Sequence, residues 1–177
     1  MKKINQELIA LFDKYGSDRR RALRENKKLS YLYALAELRE NLLDWFQFDP
    51  EQQALQIGAD AGALKGLLAR RLSSVTVLDV SEENLEVVRR RFKTEPELAA
   101  KIRYVCADVE TYAREAEKRG GTYGYVVLIG DLTAADRAGR AAQMTAAKQL
   151  LSAHGTLIAA ASNWFGVKYM AGAERET

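Results

Sequence analysis

The sequence predicts an α/β fold: a doubly wound, mainly parallel sheet of about five strands behind an N-terminal helical extension. Two observations carry this. From Pro50 onward, short apolar runs alternate with longer amphipathic ones, and the first of these runs ends in a bend of small residues, Gly58 to Gly62. The first 49 residues carry helical signals only, so the chain divides into a helical extension over 1–49 and an α/β core over 50–177.

In the extension, Ile4, Leu8, Leu11 and Phe12 are spaced for one face of a short amphipathic helix. The stretch from Lys14 to Lys28 is basic, with Arg19, Arg20, Arg21, Arg24 and Lys27; it reads either as a solvated surface or as a contact for an anionic ligand. A second helix is expected from Ser30, burying Leu32, Leu35, Leu38, Leu42 and Trp45 on one side until Pro50 stops it.

In the core, Ala54 to Gly58, Val75 to Asp79, Ile102 to Cys106, Tyr125 to Gly130 and Thr156 to Ala161 read as strands. Leu64 to Leu72, Glu82 to Phe92, Val109 to Lys118 and Ala134 to Leu151 read as the helices between them. Each crossover must return over a face of the sheet, so helices cover both sides. Only sixteen residues follow Ala161, so the fifth strand is expected to be a sheet edge. That edge is expected to meet a second copy, a linked domain of a longer chain, or the N-terminal helices.

Composition narrows the setting. The 177 residues are 47% hydrophobic, enough for one sizeable core, and a net charge of +3 does not call for a nucleic-acid partner. The one cysteine, Cys106, excludes an internal disulfide framework and points to a reducing, cytoplasmic setting. Charges interrupt every apolar stretch before the roughly 18 to 20 residues that span a bilayer. One histidine and one cysteine cannot build a closed zinc site, so no metal is expected.

The bend Gly58-Ala59-Asp60-Ala61-Gly62 lies at the carboxyl end of a strand, where open α/β sheets bind ligands and small residues allow the backbone to come close. Asp79 closes the second strand about twenty residues on, where an acid can accept ribose hydroxyls. Together they suggest an adenosine. Asp108 closes the third strand; it reads equally as a partner of an adenine's amino edge and as the N-cap of the helix from Val109.

These segments resemble the motifs of class I S-adenosylmethionine-dependent methyltransferases, which are Rossmann-like. Ala54-Leu-Gln-Ile-Gly-Ala-Asp-Ala-Gly-Ala-Leu64 looks like their glycine-rich first motif, Val77-Leu-Asp-Val-Ser81 like the second and Cys106-Ala-Asp108 like the third. Tyr125-Val-Val-Leu-Ile-Gly130 and Leu151-Ser-Ala-His-Gly-Thr-Leu157 resemble the fourth strand and the turn into the fifth. A narrower likeness, to bacterial methyltransferase domains associated with glycosyltransferases, rests on Asn163-Trp-Phe-Gly166-Val-Lys168-Tyr169-Met-Ala-Gly-Ala173. The resemblance implies S-adenosyl-L-methionine as cofactor, held by Gln56, Gly58, Ala59, Asp60, Gly62, Asp79, Val80, Asp108, Val109 and Gly130. It also implies O-methylation of a glycan or glycan precursor; Asn163, Trp164, Lys168 and Tyr169, past the fifth strand, read either as acceptor contacts or as packing for the N-terminal helices.

Two positions depart from the family pattern. Gln56 stands where an acid is usual, and Asp60 stands where the middle glycine is usual. Asp60 either faces the cofactor's carboxylate, with repulsion of roughly 1 kcal/mol in water and about 4 at an effective dielectric near 20, or turns to solvent. The two substitutions open a second reading, a catalytically degenerate binding or assembly module of a glycan-synthesis protein. Asp131 is a candidate general base or a loop residue; His154, in a Ser-Ala-His-Gly sequence, reads as a turn residue.

Overall fold

The computed structural model describes residues 2–129 and 137–160. Helices α1 (Lys3–Tyr15), α2 (Arg19–Glu25), α3 (Leu29–Leu35) and α4 (Asn41–Asp44) form a cap before β1 (Gln53–Ile57). The core continues as α5 (Lys65–Arg71), β2 (Ser74–Asp79), α6 (Glu82–Phe92), α7 (Pro96–Ala99), β3 (Ile102–Cys106), α8 (Val109–Arg119), β4 (Tyr123–Ile129), α9 (Arg137–Gln149) and β5 (Leu151–Ala160). The strands pair in parallel in the order β3-β2-β1-β4-β5, with β1 central, as the alternating pattern predicts. The direction of winding switches between β1 and β4, and ligands bind beside such a switch.

Alternation along the strands builds two cores. Ala54, Val75, Val77 and Val127 face α5 and α6, while Leu55, Leu78, Val126 and Leu128 face α8 and α9. A third cluster joins Leu8, Leu11 and Phe12 of α1 to Tyr31 and Leu35 of α3 and to Val87 of α6, so the expected face of the first helix is the buried one. The linker after α4 is fastened by Phe48, which stands edge-on to Tyr125 at 5.1 Å, and by Asp49 N–H, which donates to the Tyr125 hydroxyl at 2.9 Å.

The second helix differs from expectation. It stops at Leu35, because Ala36 is extended (φ −66°, ψ 134°), and the chain resumes as a 3-10 turn over Glu37–Glu40 before α4. The break rotates the apolar stripe: Leu35 and Leu43 are 1% and 2% exposed, whereas Leu38 is 72% and Trp45 76% exposed. The tertiary contacts of residues 34–39 with the core, described below, override helical periodicity here. Leu38→Ala should therefore shift stability by no more than about 0.5 kcal/mol in denaturant unfolding, where a buried leucine would cost 2–5.

The expected turn at Ser152 to Gly155 lies inside β5. The register jumps from Tyr123↔Leu151 to Tyr125↔Thr156, so the four residues form an irregularity within the strand, and His154 is exposed on it. A Cβ at Gly155 would sit 2.9 Å from the Tyr123 carbonyl oxygen, which fits glycine at this close approach. Among the described residues β5 is a sheet edge, and no helix among them is long and apolar enough to cross a membrane.

Candidate functional site

β1 ends in the bend, which needs left-handed backbone at Gly58 (φ 88°), Asp60 (42°), Ala61 (47°) and Gly62 (79°). Two of these are not glycine, an uncommon conformation for residues with a Cβ. The bend lies beside the end of β2: Gly58 N–H donates to the Leu78 carbonyl at 2.8 Å, and Ala59 N–H donates to Asp79 Oδ2 at 2.8 Å. The small-residue bend and the closing acid thus share one end of the sheet and one hydrogen bond.

Between the ends of β1, β2 and β3 lies a cleft of about 470 Å³, lined by Ile57, Leu78, Asp79, Val80, Asn84, Ala107, Asp108, Val109 and Gln143. Lys2 and Glu110 border it. Val80 is 73% exposed, an apolar side chain left open at the margin of the cleft. Four of the residues expected from sequence, Asp79, Val80, Asp108 and Val109, therefore line this cleft.

Asp79 is more occupied than a lone ribose acceptor. Oδ1 accepts from Ser81 N–H at 2.8 Å and from Asn84 Nδ2 at 3.1 Å, besides the bond from Ala59 to Oδ2. Asn84 Oδ1 accepts in turn from Asn5 Nδ2 of α1 at 2.9 Å, which ties the cap to the acid. A carboxylate has about four lone-pair sites, so one, on Oδ2, remains for a ligand hydroxyl.

Asp108 serves as the N-cap of α8, accepting from Thr111 N–H at 2.8 Å, and it also lines the cleft. That amide bond holds its carboxyl below the ordinary carboxylate range. A carboxyl lowered in the folded state stabilises at neutral pH, and that contribution is lost as pH falls through the lowered value. Asp108→Ala should cost about 1 kcal/mol at neutral pH in thermal or denaturant unfolding, Asp108→Asn much less, and the deficit of the alanine variant should shrink in acid.

Asp60 does not fill the cleft. Arg39 Nη1 donates to its Oδ1 at 3.1 Å, and Nη2 lies 2.8 Å from Oδ2. Gln56, in the middle of the central strand, is fully buried, and neither its amide nitrogen nor its oxygen has a partner within the protein. Gln56 is not among the residues that line the cleft.

Sequence reading missed several residues that build the site. Lys65, fully buried at the start of α5, donates from Nζ to the Gly58 carbonyl at 2.9 Å. Arg91 of α6, also buried, donates to the carbonyls of Ala61 at 3.0 Å and Ala34 at 2.7 Å. Arg39, Asn84 and Asn5 complete the set; each lay in a stretch that reads as ordinary helix. The basic stretch is largely matched by acids: Arg19 with Glu95, Arg20 with Glu37, Arg21 with Glu25 and Lys28 with Glu7. Gly130, Asp131, Asn163, Trp164, Lys168 and Tyr169 lie outside the described residues.

A parallel sheet with a tight bend and an acid beside its switch point defines a Rossmann-like nucleotide-binding domain. The chain belongs to the methyltransferase domain family, whose model matches residues 54–155. No curated protein sequence matches it. Among solved structures it is similar to the glycopeptide N-methyltransferase MtfA complexed with sinefungin, at 22% identity and a TM-score of 0.55 over 68% of this chain and 50% of that one. It is also similar to the N-methyltransferase NodS of Bradyrhizobium japonicum WM9 in complex with S-adenosyl-L-homocysteine, at 19% identity and 0.54 over 84% and 69%. A third is the precorrin 8W decarboxylase of Methanobacterium thermoautotrophicum, at 17% and 0.58 over 77% and 67%. The chain spans about half the length of MtfA, and these likenesses are of fold.

Proposed function

We propose that this chain is the cofactor-binding domain of an S-adenosyl-L-methionine-dependent methyltransferase that methylates an oxygen of a glycan or glycan precursor. The observation that carries the cofactor reading is the cleft where Asp79, tied to the bend through Ala59, stands beside Val80 and Asp108. Family membership and the sinefungin and S-adenosyl-L-homocysteine complexes of MtfA and NodS support it. In this reading Asp79 takes a ribose hydroxyl, Val80 lies against the adenine, Asp108 and Val109 border its edge, and the bend from Gly58 to Gly62 follows the amino-acid end, with Gln56 and Gly130 close by. The bound sulfonium supplies an activated methyl group, so the chain's own task is to bind and align.

Asp131 is the base proposed for the acceptor hydroxyl, and Asn163, Trp164, Lys168 and Tyr169 are proposed to contact the acceptor. The association with glycosyltransferases rests on the segment Asn163 to Ala173. MtfA and NodS are named as N-methyltransferases, which favours a nitrogen acceptor as the second reading. The exposed edge of β5 is proposed to meet a second copy or a linked domain, in a cytoplasmic setting that the lone Cys106 favours. The degenerate reading loses its main support once Asp60 is turned to Arg39. Calorimetric titration of the native chain with S-adenosyl-L-methionine and S-adenosyl-L-homocysteine tests the proposal: micromolar binding is expected, and no binding of either ligand would leave the degenerate module as the reading.

A further inference from the structure

The bend carries a carboxylate, Asp60, between Ala59, which is bonded to the cleft acid Asp79, and Ala61, whose carbonyl is held by Arg91. Its backbone is fixed in the left-handed region by these neighbours. The direction of its side chain is set by Arg39, which reaches it from the 3-10 turn just after the break at Ala36. The cap thus grips two successive residues of the bend, Asp60 by an ion pair and Ala61 through Arg91, which also takes the Ala34 carbonyl. Arg39 and Asp60 are each less than a third exposed, so the pair is only partly screened by water.

We propose that Arg39 is a positioning residue of the cofactor site: by pairing with Asp60 it keeps that carboxylate out of the cleft, so that a bend bearing an acid still accepts a ligand ending in a carboxylate. This rests on reading the cleft as an S-adenosyl-L-methionine site with the amino-acid end along the bend. Without Arg39, Asp60 is an unpaired anion next to Ala59, whose amide is bonded to the cleft acid Asp79. Two like charges about 4 Å apart correspond to an affinity loss between about fivefold in water and several hundredfold at intermediate dielectric. The loss falls only on ligands that carry the carboxylate.

That selectivity separates charge placement from a merely structural role. The test is titration of the native chain, Arg39→Ala, Arg39→Gln and Arg39→Ala/Asp60→Asn with two ligands, S-adenosyl-L-homocysteine and 5′-methylthioadenosine, which keeps the nucleoside and thioether but lacks the amino-acid end. Asparagine tolerates left-handed backbone and removes only the charge. Both Arg39 variants should lose at least about fivefold in affinity for S-adenosyl-L-homocysteine and stay within about twofold for 5′-methylthioadenosine. The double variant should recover the native value for S-adenosyl-L-homocysteine. Should Arg39→Ala not fold, Arg39→Gln, which removes the charge and the bidentate pair but keeps a polar side chain, carries the same comparison. Equal loss for both ligands, no loss for either, or no recovery in the double variant would overturn the proposal. Failure of the native chain to bind either ligand would instead overturn the cofactor reading, and this inference with it.

Discussion

Replacing Asp79 with alanine should weaken binding of S-adenosyl-L-homocysteine at least about a hundredfold, and replacement with asparagine should be nearly as damaging. The alanine variant loses the proposed ribose acceptor, and hydrogen bonds to a charged group contribute about 1.5–3 kcal/mol. It also strands three donors, Ala59 N–H, Ser81 N–H and Asn84 Nδ2, that converge on the carboxylate. Asparagine fails for a geometric reason. Donors approach both carboxylate oxygens, Ala59 from one side and Ser81 with Asn84 from the other, so the amide nitrogen of a carboxamide must face a donor whichever way it turns. Calorimetric titration reads the affinity, and faster hydrogen exchange at the Ala59 amide reads release of the bend. An Asp79→Asn variant binding within about threefold of native would remove the carboxylate from the ribose role.

Much of this site is legible in the sequence because it is local. The alternation after Pro50 gives the parallel sheet, and the residues closing β1, β2 and β3 have to meet at its carboxyl end whatever else the chain does. Gly58, Asp79 and Asp108 are found where that logic puts them, and Asp108 takes the N-cap reading on α8 while also lining the cleft. What sequence does not yield is long-range pairing. Asp60 reads as a hazard in isolation, and only the fold brings Arg39, 21 residues earlier, to its carboxylate. The stripe Leu32, Leu35, Leu38, Leu42 and Trp45 has helical spacing, yet the helix breaks inside it, since residues 34–39 are drawn to the bend by Arg91 and Asp60. Buried cations such as Lys65 and Arg91 carry no periodic signature, because a basic residue on an amphipathic helix ordinarily marks the solvent side.

Arg91→Ala should destabilise the chain by about 4 kcal/mol, the largest loss expected from a residue outside the cleft, with a fall in Tm of roughly 8 to 16 °C for a chain of this length. The guanidinium is nearly fully buried and is the described donor joining the cap's Ala34 carbonyl to the bend's Ala61 carbonyl. Removing it leaves one buried and one part-buried acceptor, each costing about 1–3 kcal/mol, beside a cavity between Phe12 and Phe92. Arg91→Met, which refills the volume without restoring a donor, should recover only about half of the loss. Gly62 is matched to this arrangement: a Cβ there would lie 2.6 Å from Arg91 Cδ, on backbone already at φ 79°. Burial, reinforced by the positive charge of Arg19, pushes the Arg91 pKa down to about 10. With the folded value below the unfolded one, the cost of burying the charge is constant below about pH 10 and is relieved only above it. The destabilisation measured by denaturant unfolding should therefore be flat from about pH 6 to about pH 9. Hydrogen exchange should quicken together in the cap near Ala34 to Ala36 and in the bend at Ala61 to Ala63. Loss of protection in the bend alone would separate the two and show that the cap does not hold the bend.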